Sequence, residues 1–398
     1  MSSIPHPVQR SLTSLLTLAC PNLPLPARLR AAWMLWAMLL SGSCVLRRIA
    51  TTLASCAPSD ELASSHERRL RRTIADPRLS WATLYAPLVR FLLRTLSGDV
   101  TVIVDESGHT ERLRVLSAAL WYQGRAIPLA WLTWKGQTPH EQPYWDDCRT
   151  LFDRVATLLP AGVRVTVVAD RAFGCPAFLD PLTKRGWAWV VRVQGQTRVQ
   201  HTDRSEAALS TLLSQAGQHW WARARVFKKQ GWREATVVAY WRVGCREPLL
   251  LVSSLMLPMM SVRLYRLRAA IEALFREWKS YGWQWEASQI ATVEHQERLV
   301  LMLAVATVVT LLVGVEVAEE VLARPPQRGV RRPWEARDSL FQLGRQGWLR
   351  RLWTSSEQAL RDCLPPPGTK TWQQICWANA APSARMSTVK DGRVVHRT

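Results

Sequence analysis

Asp105 follows the apolar run Val100–Val104, and Asp170 follows the run Val163–Ala169. A third acid, Glu272, lies 102 residues beyond the second. Each run reads as a buried strand, and carboxylates at the ends of neighbouring strands converge on one point while the sheet holds them rigid. Two aspartates and one further acid make an oxygen donor set for hard divalent cations such as Mg²⁺. A pair of such ions about 3.5–4 Å apart activates an attacking oxygen and stabilises a leaving one. An aspartate after a strand equally well caps a turn, so neither Asp105 nor Asp170 carries this chemistry alone.

The third acid has company. Tyr265, Arg268, Glu272 and Lys279 follow one another at offsets of 3, 4 and 7 residues. On one continuous helix they fall within about 60° of arc and spread over about 21 Å of axis. Leu267, Ile271, Leu274, Phe275 and Trp278 form a separate apolar face, so the polar stripe looks outward while that face packs on a sheet. An acid flanked by two cations and a phenol suits a metal ion beside phosphates. Arg268 and Glu272 also make an ordinary i,i+4 ion pair on a solvated helix.

The elements that position these residues are legible as follows. Residues 27–96 read as helices, with Ser59-Asp60 as a cap region and Ser65–Arg72 as a strongly basic segment that faces either DNA phosphates or solvent. After Gly98 come strands at 100–104, 119–122 and 127–134, the last two turned at Gln123-Gly124. A helix at 144–159, a strand at 163–169, a helix at 176–185 and a strand at 187–193 follow. This order predicts an α/β sheet covered by helices. Residues 195–248 are polar, tryptophan-rich and partly strand-like, and read as an insertion before a strand at 249–253. Long helices are expected at about 261–280 and 292–322. The run Leu299–Val315 is near the length of a membrane span but reads as a buried core helix, so no membrane partner is expected. The tail beyond Pro325 reads as a basic helical appendage or a partly disordered segment.

Charge narrows the partner. Lys+Arg number 52 against 31 Asp+Glu, a surplus of +21. Such an excess points to an extended polyanion, and all but seven of the basic residues are arginine, whose fork grips phosphate. Codon usage in a GC-rich genome accounts for arginine over lysine as readily, but not for the surplus. The eight cysteines form no C-x2-C pair, which argues against a zinc finger or a disulfide framework and for reduced thiols in the cytoplasm.

Y-x2-R-x3-E-x6-K, matched by Tyr265, Arg268, Glu272 and Lys279 after strands ending at Asp105 and at Asp170 (ADRAFG), resembles the signature of bacterial DDE transposases of the insertion-sequence-four family. The resemblance covers about residues 25–320. It implies an RNase H-like mixed sheet flanked by helices, with a β-rich insertion and a helical N-terminal domain. The implied division is a helical DNA-binding part at 1–96, a catalytic core at 97–194 and 249–325, an insertion at 195–248, and a tail at 326–398. It further implies Asp105, Asp170 and Glu272 as the metal-binding triad. Tyr265, Arg268, Lys279 and Arg171 become DNA contacts, and the cofactor two Mg²⁺ ions, with Mn²⁺ as substitute. The implied partners are double-stranded DNA, as element ends and target, and a second copy in a homodimeric synaptic complex. One strand is nicked, and the freed 3′-OH attacks the opposite strand as a hairpin or attacks target DNA. Relatives can stack a flipped base on a tryptophan of the insertion, for which Trp220, Trp221, Trp232 and Trp241 are candidates. Ala172 departs from the glycine common in relatives, and the insertion is short. The competing readings are a non-catalytic DNA-binding copy and an RNase H-like nuclease without strand transfer.

Overall fold

The computed structural model describes residues 5–56, 61–109, 113–136, 143–201, 203–323, 339–354, 389–390 and 393–394. The expected cap at Ser59-Asp60 and most of the tail beyond 326 lie outside the described residues.

The centre is a sheet of alternating and continuous apolar runs. Its strands are β1 (Asp99–His109), β2 (Leu113–Tyr122), β3 (Arg125–Lys135), β4 (Arg164–Ala169) and β5 (Ala188–Arg192). They are joined by β6 (Arg198–Gln200), β7 (Glu206–Ala208), β8 (His219–Val226), β9 (Arg233–Tyr240) and β10 (Leu249–Ser253). The ten run in the order β3-β2-β1-β4-β5-β10-β9-β8-β6-β7. The first three strands are antiparallel, β4 and β5 run parallel to β1, and β10 returns antiparallel to β5. This is a mixed α/β fold of the RNase H-like kind. The turn between β2 and β3 falls at Gln123-Gly124, both at positive φ (53° and 78°), the backbone that a tight two-residue hairpin requires. Strands from the 195–248 segment extend the same sheet beyond β10.

Helices cover both faces. α6 (Tyr144–Ala156) packs on β2 and β3, and α7 (Pro176–Lys184) on β5. On the opposite face Val168, Val190, Val238 and Leu251 gather with Val262 and Tyr265 from α8 (Pro258–Arg266). α9 (Ala269–Trp278) continues over β1 and β3, sinking Ile271, Leu274 and Trp278 to 0–1% exposure.

The single helix expected at about 261–280 is therefore two. At the junction, Arg268 N–H bonds Tyr265 C=O and Ile271 N–H bonds Arg268 C=O, both at 3.0 Å. These i→i−3 bonds wind the chain tighter than an α-helix. A phase count at 100° per residue fails across them, so the continuous stripe of four polar residues does not form.

The N-terminal part is helical, as periodicity predicts, with α2 (Leu25–Ser41), α3 (Leu46–Cys56), α4 (Ala63–Ile74) and α5 (Ala86–Leu93). α1 (Pro7–Ala19) begins earlier than the expected 27–96 stretch. α10 (Val293–Ala323) is long and apolar enough to cross a membrane, yet its most apolar window is wholly buried inside the fold. Gly314 on α10 and Gly344 on α11 (Leu340–Thr354) let the two backbones touch; a methyl at Gly314 would collide with the Leu340 carbonyl oxygen. Trp278 Nε1–H donates to Thr307 Oγ1 of α10 at 3.0 Å, tying the end of α9 to this central helix. Trp283 and Trp285, just beyond the end of α9, are 1% and 0% exposed.

Candidate active site

Sheet register builds the site. The parallel ladder of β1 and β4 ends at the pair Val104↔Ala169. One residue further, Asp105 and Asp170 stand side by side on strands about 4.8 Å apart. Side chains alternate, so both point to the face of Ile103 and Val168, the face that α8 and α9 cover. Asp105 does not end its strand, as the sequence suggests. β1 runs on to His109 against β2, with Asp105 paired to the fully buried Ser117. That pairing stiffens the backbone on both sides of Asp105. Asp170 leaves β4 directly into a short turn at Arg171–Phe173.

The helical junction reaches down to both aspartates. Tyr265, the next-to-last residue of α8, donates its hydroxyl to Asp170 Oδ1 at 3.1 Å. Arg268, at the junction itself, donates Nη1–H to Asp105 Oδ2 at 3.0 Å and Nη2–H to Glu272 Oε1. Five of the seven residues singled out from the sequence are thus gathered in two adjacent hydrogen-bonded sets, Tyr265–Asp170 and Asp105–Arg268–Glu272. The kink costs the stripe its regularity but lets Arg268 point at the sheet while Glu272 stays at the rim. Arg268 and Asp105 side chains are 16% and 18% exposed, that of Glu272 55%.

The electrostatics follow from this placement. Burial pushes the Asp105 carboxyl up to about 6; Arg268 and the Glu106 N–H, 2.9 Å from Asp105 Oδ1, oppose that shift, while Asp170 and Glu272 reinforce it. Burial also pushes the Tyr265 phenol up to about 12, with Asp170 adding to the effect. Burial works against charge on Arg268, yet Tyr265, Asp105, Asp170 and Glu272 together outweigh it and raise the guanidinium further.

The remaining expected residues divide. Arg171 lines a cavity of about 410 Å³ beside Asp170, with Arg192, Gln194, Gly195 and Ser210. Lys279 ends α9, where the backbone leaves helical geometry (ψ −116°). Its ammonium forms no hydrogen bond or ion pair with any described residue, so it stays apart from the group.

Three residues of the site escaped the sequence reading. Glu106 holds Asp105 through its N–H, while its own carboxylate accepts from Tyr144 Oη at 3.0 Å and faces Arg114 at 3.6 Å. Arg192 pairs with Glu247 and senses both Tyr265 and Asp170. Period-two alternation back to Val190 puts Arg192 on the carboxylate face, a signal present in the sequence. No pattern singles out Tyr144, the first residue of its helix.

As placed, no three His, Cys, Asp or Glu side chains among the described residues could hold a metal ion together. Arg268 occupies the gap between Asp105 and Glu272. The donors are nevertheless hard carboxylate oxygens, and the mutual repulsion felt by Asp105 marks negative charge that one guanidinium leaves partly uncompensated. By donor type the carboxylates suit divalent ions, but in this arrangement Arg268 stands between Asp105 and Glu272.

Residues 130–309 match the family model described as the transposase DDE domain, which supports a DDE transposase. The match takes in Asp170, Tyr265, Arg268 and Glu272, whereas Asp105 lies before it and is tied to the site by sheet register and by its hydrogen bond from Arg268. No curated protein matches the chain.

Proposed function

We propose that this chain is a DNA transposase of the insertion-sequence-four kind, which excises and reinserts an element by phosphoryl transfer at Asp105, Asp170 and Glu272. The observation that carries the reading is the β1–β4 register: it sets two aspartates side by side, under a helix pair whose Tyr265 and Arg268 hold one each. The match to a transposase DDE domain supports this reading.

Asp105 and Asp170 would hold divalent ions, two Mg²⁺ on this reading, with Glu272 completing the set from the rim. When bound, such ions supply activation of the attacking oxygen and stabilisation of the leaving one. The chain's own residues do the positioning. Pairing on both sides of Asp105 fixes that carboxylate. Tyr265 orients Asp170. Arg268, freed from Asp105 and Glu272, is placed to take a phosphate oxygen beside the cut end. Arg171 and Arg192 extend positive charge from the carboxylates toward the strands of residues 195–248. Of the four tryptophans there, Trp221 is 53% exposed. It pairs with Val238, whose side chain is on the carboxylate face, which makes Trp221 the best placed to stack a base. A second copy of the chain would bring the other element end, in the bacterial cytoplasm.

The test uses purified chain, Mg²⁺ and a labelled duplex carrying the terminal inverted repeats found beside its own coding region. A nick at the repeat boundary followed by a hairpin or joined product is expected. Tight binding of the repeats with no metal-dependent cut would overturn the reading.

A further inference from the structure

The face of the sheet away from the carboxylates carries a contact that reaches both aspartates. The ladder between β1 and β4 ends at Val104↔Ala169, so from Asp105 onward β1 is held by its pairing with β2. Glu106 comes next, and alternation sends its side chain to the opposite face, the one that α6 covers. Tyr144, the first residue of α6, donates its hydroxyl to Glu106 Oε2 at 3.0 Å. Arg114 faces the other oxygen of that carboxylate at 3.6 Å. The Glu106 N–H in turn bonds Asp105 Oδ1 at 2.9 Å.

The ring of Tyr144 serves the second aspartate. It stacks on Phe173 with centroids 6.4 Å apart and planes 30° from parallel. Phe173 is 1% exposed and lies in the turn that follows Asp170. Its N–H bonds the Asp170 carbonyl oxygen at 3.0 Å. Phe178 of α7 closes on the same ring at 4.9 Å, so Phe173 is wedged between two helices. One side chain thus touches both the residue after Asp105 and the turn after Asp170. Burial, and next the Glu106 carboxylate, hold the Tyr144 phenol well above its ordinary range, so it stays protonated and remains a donor.

We propose that Tyr144 is a positioning residue that sets the spacing of Asp105 and Asp170 from behind the sheet, through Glu106 on one side and Phe173 on the other. It touches no reacting atom. Two carboxylates act on the same ions only when their geometry is held to within about 0.5 Å, and hydrogen bonds behind the ligands are what hold it. At the level of the two aspartates the β1–β4 ladder has ended, so backbone pairing alone does not fix the gap. The Tyr144 hydroxyl restrains one strand and its ring the other. This role rests on the proposed metal-dependent function of Asp105 and Asp170.

Two readouts on the full-length chain test the proposal. In the metal-free chain, hydrogen exchange read by mass spectrometry follows the segments 103–108 and 170–175. Tyr144→Phe keeps the ring and should speed exchange of the first segment about tenfold. Tyr144→Ala should speed both, with α10 unchanged as the control. In Mg²⁺-dependent cleavage of end-bearing DNA, Tyr144→Phe should raise the half-saturating Mg²⁺ about tenfold and leave the rate at saturating Mg²⁺ within about twofold of the parent. Glu106→Gln still accepts from the hydroxyl and should stay close to the parent. Glu106→Ala should match Tyr144→Phe, and combining the two should add nothing further. A lower rate with unchanged Mg²⁺ dependence, full addition of the two effects, or unchanged exchange at both segments would overturn the assignment. A parent chain that makes no metal-dependent cut would instead remove the transposase reading, and exchange would then decide alone whether Tyr144 couples the two segments.

Discussion

Asp76 and Asp105 are both largely buried aspartates gripped by arginine, yet they are held in opposite states. Burial pushes Asp76 up, but Arg78 and Arg30, with the Arg78 N–H at 3.1 Å, outweigh it and hold the carboxyl at about 2. Burial pushes Asp105 up to about 6; its one guanidinium, shared with Glu272, and the Glu106 N–H do not outweigh it, and Asp170 and Glu272 add a smaller push. The first is a satisfied ion cluster that clips the end of α4 to α2. The second is left short of positive charge by its surroundings. A buried carboxylate left with its pKa raised is a feature that clusters at functional sites, which is in keeping with the proposed role of Asp105.

The contrast can be broken at several strengths. The largest effect is expected on chemistry. Asp105→Asn, Asp170→Asn or Glu272→Gln should each lower Mg²⁺-dependent cleavage of end-bearing DNA about 1000-fold or more, with binding retained. Full cleavage by any of them removes that residue from the centre. Stability should separate the two aspartates next. Asp76→Asn leaves the part-buried Arg30 without its carboxylate and should cost about 2 kcal/mol in urea unfolding, whereas Asp105→Asn removes a buried carboxylate with two acids nearby and should stay within about 1 kcal/mol of the parent or gain. Equal losses would erase the distinction.

Acid titration sharpens the same point. The folded-state pKa of Asp76 lies below its ordinary value, so its contribution is present above about pH 4 and is lost as pH falls toward 2. Wild type should therefore lose about 2 kcal/mol more than Asp76→Asn over that window, read from urea midpoints. Parallel curves would show that Asp76 is not clamped. The smallest effect concerns Arg268. If the guanidinium stands where a cation must go, Arg268→Ala should tighten Mn²⁺ binding to the DNA-free chain about fivefold, measured by electron paramagnetic resonance titration. Weaker binding would make Arg268 a support for the ions rather than their rival.

Much of this was readable before the fold was known. The apolar runs around 100–104 and 163–169 gave strands, Gln123-Gly124 gave the hairpin, and Leu249–Ser253 matched β10 residue for residue. Strand periodicity is simple, and it also carried Asp105 and Asp170 to one face. The extent of β1 beyond Asp105 was hidden, because Glu106, Ser107 and Gly108 have no apolar pattern; tertiary pairing with β2 alone holds them extended. The kink at Leu267–Arg268 was equally hidden. Neither residue breaks helices, and the tightened turn answers the need for α8 and α9 to pack on different strands of a twisted sheet. Lys279 belonged to the motif by spacing but sits where the helix ends, a fact set by Gly282 and its close approach to the Glu277 backbone. Arg192 and Tyr144 came from segments far apart in sequence, which no local pattern joins to Asp105.

The most direct measurement is iron-directed cleavage of the polypeptide. Fe²⁺ bound in place of Mg²⁺, with ascorbate and peroxide, breaks the backbone beside its ligands. Cuts near residues 105, 170 and 272, all suppressed together by excess Mg²⁺, are the predicted result. Cuts centred elsewhere, or a Mg²⁺-suppressible cut at only one of the three, would contradict a shared metal centre.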